Sequence, residues 1–328
     1  MIRILHRSAA GDLRTDLSLD ELPAAFADTQ GLLWVDFEGE PPEVCQPILT
    51  GTFGFHPLAV DDALVETHVP KVDDWGSYLY IALHAVDLDL ANGSALGTHE
   101  LDFFLGEHYL VSHHDHPVAA VSHVWERCQR DQRHVASDGD HLAYLIADEL
   151  AVGYMSVFEK MDEGLDALED EIFAGSRAKT LERIFVLKRA ILNLRRVLAP
   201  QREVLNRLAR DDYAVVDPRD RVYFRDVYDH LVRLYDINES MRDQVSGAVD
   251  TYLSVINNRM NDIMKTLTII TALFAPITFV TGFYGMNFFA PTLPLADWTD
   301  VLPFGLVLGI VGLLPLGMWL WIRRRGWA

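Results

Sequence analysis

The spacing of apolar residues along this chain changes three times, and each change predicts a different kind of element. Over residues 1 to about 135, short alternating or apolar runs are separated by turn-rich connections. The segments 32–39 (LLWVDFEG), 78–90 (YLYIALHAVDLDL) and 101–114 (LDFFLGEHYLVSHH) carry the β-branched and aromatic content of strands, the middle ones forming hairpins. Between the first two, 41–65 (PPEVCQPILTGTFGFHPLAVDDALV) reads as short helices broken at prolines. Residues 1–135 are therefore expected to fold as an α/β or α+β domain.

From His141 the period lengthens to that of helices. Segments 141–173 and 179–210 keep apolar residues three and four apart, with one interruption at Pro200. They predict a long antiparallel pair over 136–212, joined at Ala174-Gly175-Ser176 and too polar for lipid. A third helix occupies 213–285. Between Pro218 and Pro276 there is no proline and a single glycine, Gly247. At about 1.5 Å per residue, a helix over that interval would run roughly 85 Å and would need support along its side.

The texture then turns fully apolar. No charged residue occurs over 266–296, nor over 301–322. Each run exceeds the roughly 20 residues that cross a bilayer core. The expected layout is a first span at 266–285, a connecting loop at 286–300, a second span at 301–322 and a basic tail at 323–328. Arg259 and Lys265 precede the first span and Arg323, Arg324 and Arg325 follow the second, while the loop holds Asp297 and Asp300 and no basic residue. By the positive-inside rule both termini are cytoplasmic, in the plasma (inner) membrane. The start, MIRILHRSAAGDLRTDL, has no apolar stretch of the signal-peptide kind.

One face of the first span stands out. Asn261, Met264, Leu267, Thr271, Ala275, Thr278, Gly282 and Gly285 are separated by three or four residues and share one side of the helix. Within the bilayer this stripe is small and hydroxyl-bearing, against the bulk of Phe274, Phe279 and Phe283 elsewhere. Such a stripe suits close helix packing. It equally suits a narrow pore, which two spans per chain can enclose only in an oligomer.

Charge and cysteine content narrow the function classes. The formal net charge of −20 comes from the region before the spans, which excludes nucleic acid as a natural partner and suits cations. Cys45 and Cys128 form no CxxC pair, as expected of inert thiols in a reduced compartment. There is no HExxH, no Walker-type loop and no GxSxG elbow, so neither enzyme chemistry nor ATP is expected, and no organic cofactor. The run His113-His114-Asp115-His116 offers metal ligands, but consecutive residues point in different directions. A structural or exposed role is expected to outweigh metal binding there.

The residues from Met264-Lys-Thr-Leu-Thr-Ile-Ile-Thr through Ala275-Pro-Ile-Thr-Phe-Val-Thr-Gly-Phe-Tyr-Gly-Met-Asn-Phe closely resemble the first membrane helix of the CorA magnesium transporter family. Gly285-Met286-Asn287 stands where that family's signature stands. Tyr223-Phe-Arg-Asp-Val-Tyr-Asp-His230 and Pro70-Lys-Val also look like family segments, and the order of parts covers essentially the whole chain.

The resemblance implies a funnel-shaped homopentamer: an α+β cytoplasmic domain, long stalk helices and two C-terminal membrane helices, five first spans lining the pore. By position, Gly285, Met286 and Asn287 belong to the outer mouth, where Asn287 captures hydrated Mg²⁺. Thr278 forms a polar ring further in, within a lining that takes in Thr271, Ala275 and Gly282. Met264 and Leu267 form a hydrophobic gate, with Asn261 below it. Asp226 matches the acidic residue of an inter-subunit regulatory Mg²⁺ site whose partner falls on Asp89, with Asp87 close by. Mg²⁺ is thus implied as substrate and regulator, with Co²⁺ or Ni²⁺ as further substrates. The rival reading is a ZntB-like Zn²⁺ transporter coupled to protons. The loop departs from the family pattern, in which a glutamate often follows the signature; here acidity waits until Asp297.

Overall fold

A computed structural model describes residues 1–65, 69–88, 96–135, 138–174, 178–286 and 301–326. It divides into two units, residues 1–249 and 250–328.

Seven strands build the first unit's sheet: β1 (Ile2–Arg7), β2 (Leu13–Arg14), β3 (Leu32–Glu38), β4 (Lys71–Asp74), β5 (Leu79–Asp87), β6 (Gly97–Leu105) and β7 (Tyr109–His114). Their order is β2-β1-β3-β7-β6-β5-β4. Every pairing is antiparallel except β3 with β7 at the centre. That parallel pair is buried on both faces, which explains why β3 reads LLWVDFE, nearly continuous rather than alternating. The stretch 101–114 splits into a hairpin, with β6 and β7 separated at Gly106.

Helices cover both faces. The proline-broken stretch forms α1 (Leu22–Phe26), α2 (Pro42–Pro47), a π-helical turn at Ile48–Thr52 and α3 (Pro57–Leu64). Cys45, Leu49, Phe55, Ala59 and Val60 pack with Leu33, Val35, Phe37, Tyr80, Phe104 and Val111 in one core. On the other face, Trp125 of α4 (Ala119–Arg130) meets Trp34 edge-on at 4.9 Å. Beyond α4 run α5 (Gly139–Phe173) and α6 (Ala178–Arg210), the latter continuing through Pro200 where the pattern predicted an interruption. The upper end of β5 outlasts its neighbour β4. Its His84 backbone is completed instead by Gln201, which accepts from the N–H at 2.8 Å, and by Tyr154, whose hydroxyl donates to the C=O at 2.9 Å.

The third long helix, α7 (Arg221–Tyr284), is a single element of 64 residues. Its buried positions in the first unit are Phe224, Val227, Leu231, Leu234, Asn238, Met241, Val245 and Ala248. The steps alternate three and four, a period of about 3.5 that makes a coiled-coil-like seam. This seam is the lateral support that so long a helix requires. Ion pairing of Arg195 on α6 with Glu239 at 3.1 Å, and stacking of Arg202 over Tyr235, flank it. The second unit contains the remainder of α7 and α8 (Val301–Arg324).

Candidate functional site

In the second unit, α7 turns one side to α8. Pro276, Ile277 and Val280 line a small cleft with Ile310, Val311, Leu314 and Pro315. Leu273, Pro276, Ile277 and Val280 are accordingly half-buried, whereas Asn261, Met264, Leu267, Thr271, Ala275, Thr278, Gly282 and Gly285 are all exposed in the single chain. Advancing about 100° per residue, the exposed stripe is centred roughly 180° from the side that meets α8. Met264 and Leu267 are 55% and 56% accessible, a large apolar exposure for two residues one turn apart.

The threonines of this helix share one arrangement. The Thr271 hydroxyl donates to the Leu267 carbonyl at 2.9 Å and that of Thr278 to the Phe274 carbonyl at 3.0 Å. With its proton committed to the helix, each hydroxyl presents only oxygen lone pairs outward. An open helix face with such oxygens suits a cation whose water shell donates hydrogen bonds. At the far end of α8, Arg323 and Arg325 stack over Trp319 and Trp321 at 5.4 and 5.1 Å, a pairing of aromatic and basic groups typical of a membrane–water boundary.

Of the sites expected from sequence, Asn287 and Asp89 lie outside the described residues, while Met286 closes the described part of α7's end. Asp87 ends β5, its carboxylate 3.1 Å from His99 Nε2. It faces Gly97 across the ladder, where a Cβ would come within 2.0 Å of Asp87 Oδ1. Asp226 is exposed on α7, with His230 one turn on at 4.0 Å. Nearby on α5, burial and then the Asp226 and Glu149 charges push the Asp148 carboxyl up, against the pull of His230. Sequence reasoning did not single out Asp148 or His99. For His230 the signal was present, since i and i+4 share a helix face.

The histidine run resolves into opposite directions. His113 and His114 are 2% and 1% exposed and lie on opposite faces of the sheet, so they do not chelate together. His113 faces Asp102 at 3.9 Å, and His114 faces Asp36 at 3.2 Å.

The sheet-and-helix unit, the 64-residue helix and the two apolar segments, whose best windows have mean hydropathies of 1.8 and 2.1, define a membrane protein with two C-terminal spans. The family described as "CorA-like Mg2+ transporter protein" matches residues 29–324, and the chain belongs to that family. The cobalt/magnesium transport protein CorA of Thermotoga maritima is 33% identical over 304 residues, covering 92% of this chain and 85% of its own. The complete CorA magnesium transporter structure from Methanocaldococcus jannaschii shares the fold with a TM-score of 0.83 at 24% identity, covering 99% of this chain and 98% of that one. The ZntB cytoplasmic domain of Vibrio parahaemolyticus is a more distant likeness in fold, with a TM-score of 0.62 at 13% identity over 79% of this chain and 99% of that one.

Proposed function

We propose that this protein conducts Mg²⁺, with Co²⁺ and Ni²⁺ as further substrates, down the electrochemical gradient into the cell. The observation that carries this reading is the open, hydroxyl-bearing face of α7 opposite α8 in a chain of this family. In a homopentamer five copies of that face enclose a pore in the inner membrane, with both termini in the cytoplasm. Neither ATP nor an organic cofactor takes part, and the protein is not an enzyme.

Asn287, with Gly285 and Met286, forms the outer mouth. Mg²⁺ sheds its inner water reluctantly, so a neutral amide carbonyl that binds the hydrated ion suits capture and release better than a carboxylate ring. Gly282 leaves room for the water shell. Thr271, Ala275 and Thr278 line the path, and the Thr oxygens accept from the ion's water. Met264 and Leu267 close it by excluding water, with Asn261 beneath. Cytoplasmic Mg²⁺ bound between Asp226 and Asp89, or Asp87, of adjoining subunits favours the closed state, and its loss sets like charges against each other.

The test is flux into liposomes for Mg²⁺, Co²⁺, Ni²⁺ and Zn²⁺, with and without a pH gradient. Asn287→Ala is expected to lose most Mg²⁺ flux. Unchanged flux in that variant removes Asn287 from the mechanism. Flux that prefers Zn²⁺ and requires the pH gradient moves the protein to the ZntB-like reading.

A further inference from the structure

On the α4-covered face of the sheet, strand register brings charged residues from three strands together. Arg3 of β1 is directly opposite Asp36 of β3, which is opposite Ser112 of β7; Glu38 and His114 form the next row on the same face. One ligand atom from each of Asp36, Glu38 and His114 lies within 4.8 Å of the others.

The imidazole is oriented from behind. His114 Nδ1 lies 2.7 Å from the His116 carbonyl, to which it donates, so the other ring nitrogen, Nε2, is turned into the cluster. Nε2 is buried, makes no hydrogen bond of good geometry among the described residues, and stands 3.2 Å from Asp36 Oδ1. A backbone carbonyl fixing the tautomer of a ring whose far nitrogen faces carboxylates is the usual outer shell of a metal-ligating histidine.

The two oxygens of Asp36 have separate tasks. Both Arg3 contacts, at 3.0 and 2.5 Å, fall on Oδ2. Oδ1 accepts from the Ser112 hydroxyl at 2.5 Å, itself a 3.0 Å acceptor for the Trp34 indole, and is the oxygen nearest His114. Glu38 Oε2 is 3.7 Å from Arg3, and the Glu38 side chain keeps 23% exposure, which provides a way in.

We propose that Asp36, Glu38 and His114 form a transition-metal site, for Zn²⁺ or Co²⁺, in the sheet domain. One imidazole nitrogen with two carboxylate oxygens suits these ions, whereas Mg²⁺ prefers an all-oxygen, largely hydrated octahedron. The ion takes the place between Nε2 and the carboxylates, and Arg3 and Ser112 hold Asp36 in position. The nearby guanidinium opposes the ion's charge and moderates its affinity. The site shares no residue with the proposed pore, so failed Mg²⁺ flux leaves it untouched.

Calorimetric titration of the full-length protein in detergent with Zn²⁺, under excess Mg²⁺, tests it. A single Zn²⁺ per chain is expected to bind despite the Mg²⁺, and Co²⁺ at the same site should give visible absorption bands. His114→Gln is expected to abolish both signals, and Ser112→Ala to weaken binding by about 10–100-fold. Because His114 is buried, Glu38→Gln provides the second variant, checked by metal-free melting against the parent. Parent-like Zn²⁺ binding in either folded variant, or displacement of Zn²⁺ by excess Mg²⁺, overturns the proposal.

Discussion

Asp102 shows how burial sets the chemistry of a single group. It is 2% exposed, accepts from the Tyr80 hydroxyl at 2.6 Å, and lies on the sheet face opposite to Asp36. Burial, with the Glu100 charge, pushes its carboxyl up to about 7, while His113 and Tyr80 pull the other way. Its folded value therefore exceeds its unfolded one, and the stability it contributes is present in acid and lost as pH rises through about 7. Asp102→Asn keeps an acceptor for Tyr80 and removes the titration. The variant is expected to gain stability relative to the parent between about pH 4 and 7, on the order of a few kcal/mol, read from melting across that range. Parallel pH profiles for the two proteins would show that Asp102 is ionised in the fold. Asp36 has the opposite balance. Burial pushes it up as well, but His114, Ser112 and Arg3 outweigh that and hold it below the usual range. Residue type alone does not separate these two aspartates; the presence of a cation does.

For α7, length and apolar end were both legible, because proline and glycine are scarce and charge vanishes after Lys265. The seam along its first half was equally present in the spacing from Phe224 to Ala248, but it becomes meaningful only when α5 and α6 supply the surface it packs on. One position breaks the pattern. Asn238 is fully buried, and among the described residues neither its amide oxygen nor its nitrogen has a hydrogen-bond partner. A buried amide in such a seam costs about 1–3 kcal/mol and specifies register in return. Asn238→Leu is expected to raise the thermal midpoint by a comparable free energy. A lowered midpoint would mean that the amide is satisfied in the assembled protein. β3 and β5 lie close to the expected 32–39 and 78–90, but β1, β2 and β4 were not anticipated and β6 starts earlier, at Gly97. The stretch 101–114 divides at Gly106, a residue that itself breaks strands, whereas the continuity of α6 through Pro200 goes against the local signal. At Pro200 the neighbouring elements outweigh propensity.

In the single chain, much of the membrane part's apolar surface is open. Phe274 and Phe279 are 62% and 73% exposed on a membrane helix, and the stripe between its phenylalanines has no partner in α8. Lipid can cover phenylalanine, but a face bearing Asn261, Thr271 and Thr278 is better placed around water. The purified protein in detergent is therefore expected to have the mass of a homopentamer by light scattering, and a monodisperse monomer or dimer would remove the pore. Asp226→Ala with Asp89→Ala is expected to weaken inhibition of flux by cytoplasmic Mg²⁺ while leaving the pore intact. Inhibition at an unaltered Mg²⁺ concentration would dismiss the regulatory site.

The sequence by itself determined the two spans, the long helix and the small-residue stripe, because each depends on contiguous residues: bilayer thickness, the lack of breakers, and a 3.6-residue period. It also carried the family likeness, whose clearest part is the continuous stretch from Met264 through Asn287. Only the tertiary structure decided that His114 joins Asp36 and Glu38 while His113 joins Asp102. Asp36 and Glu38 reach His114 through a parallel pairing of strands far apart in the chain, whereas Asp102 meets His113 across the antiparallel β6–β7 hairpin; a strand turns successive side chains to opposite faces. Likewise, the sequence marked the stripe on α7, but the packing of α8 on the other side of that helix decided that the stripe stays open.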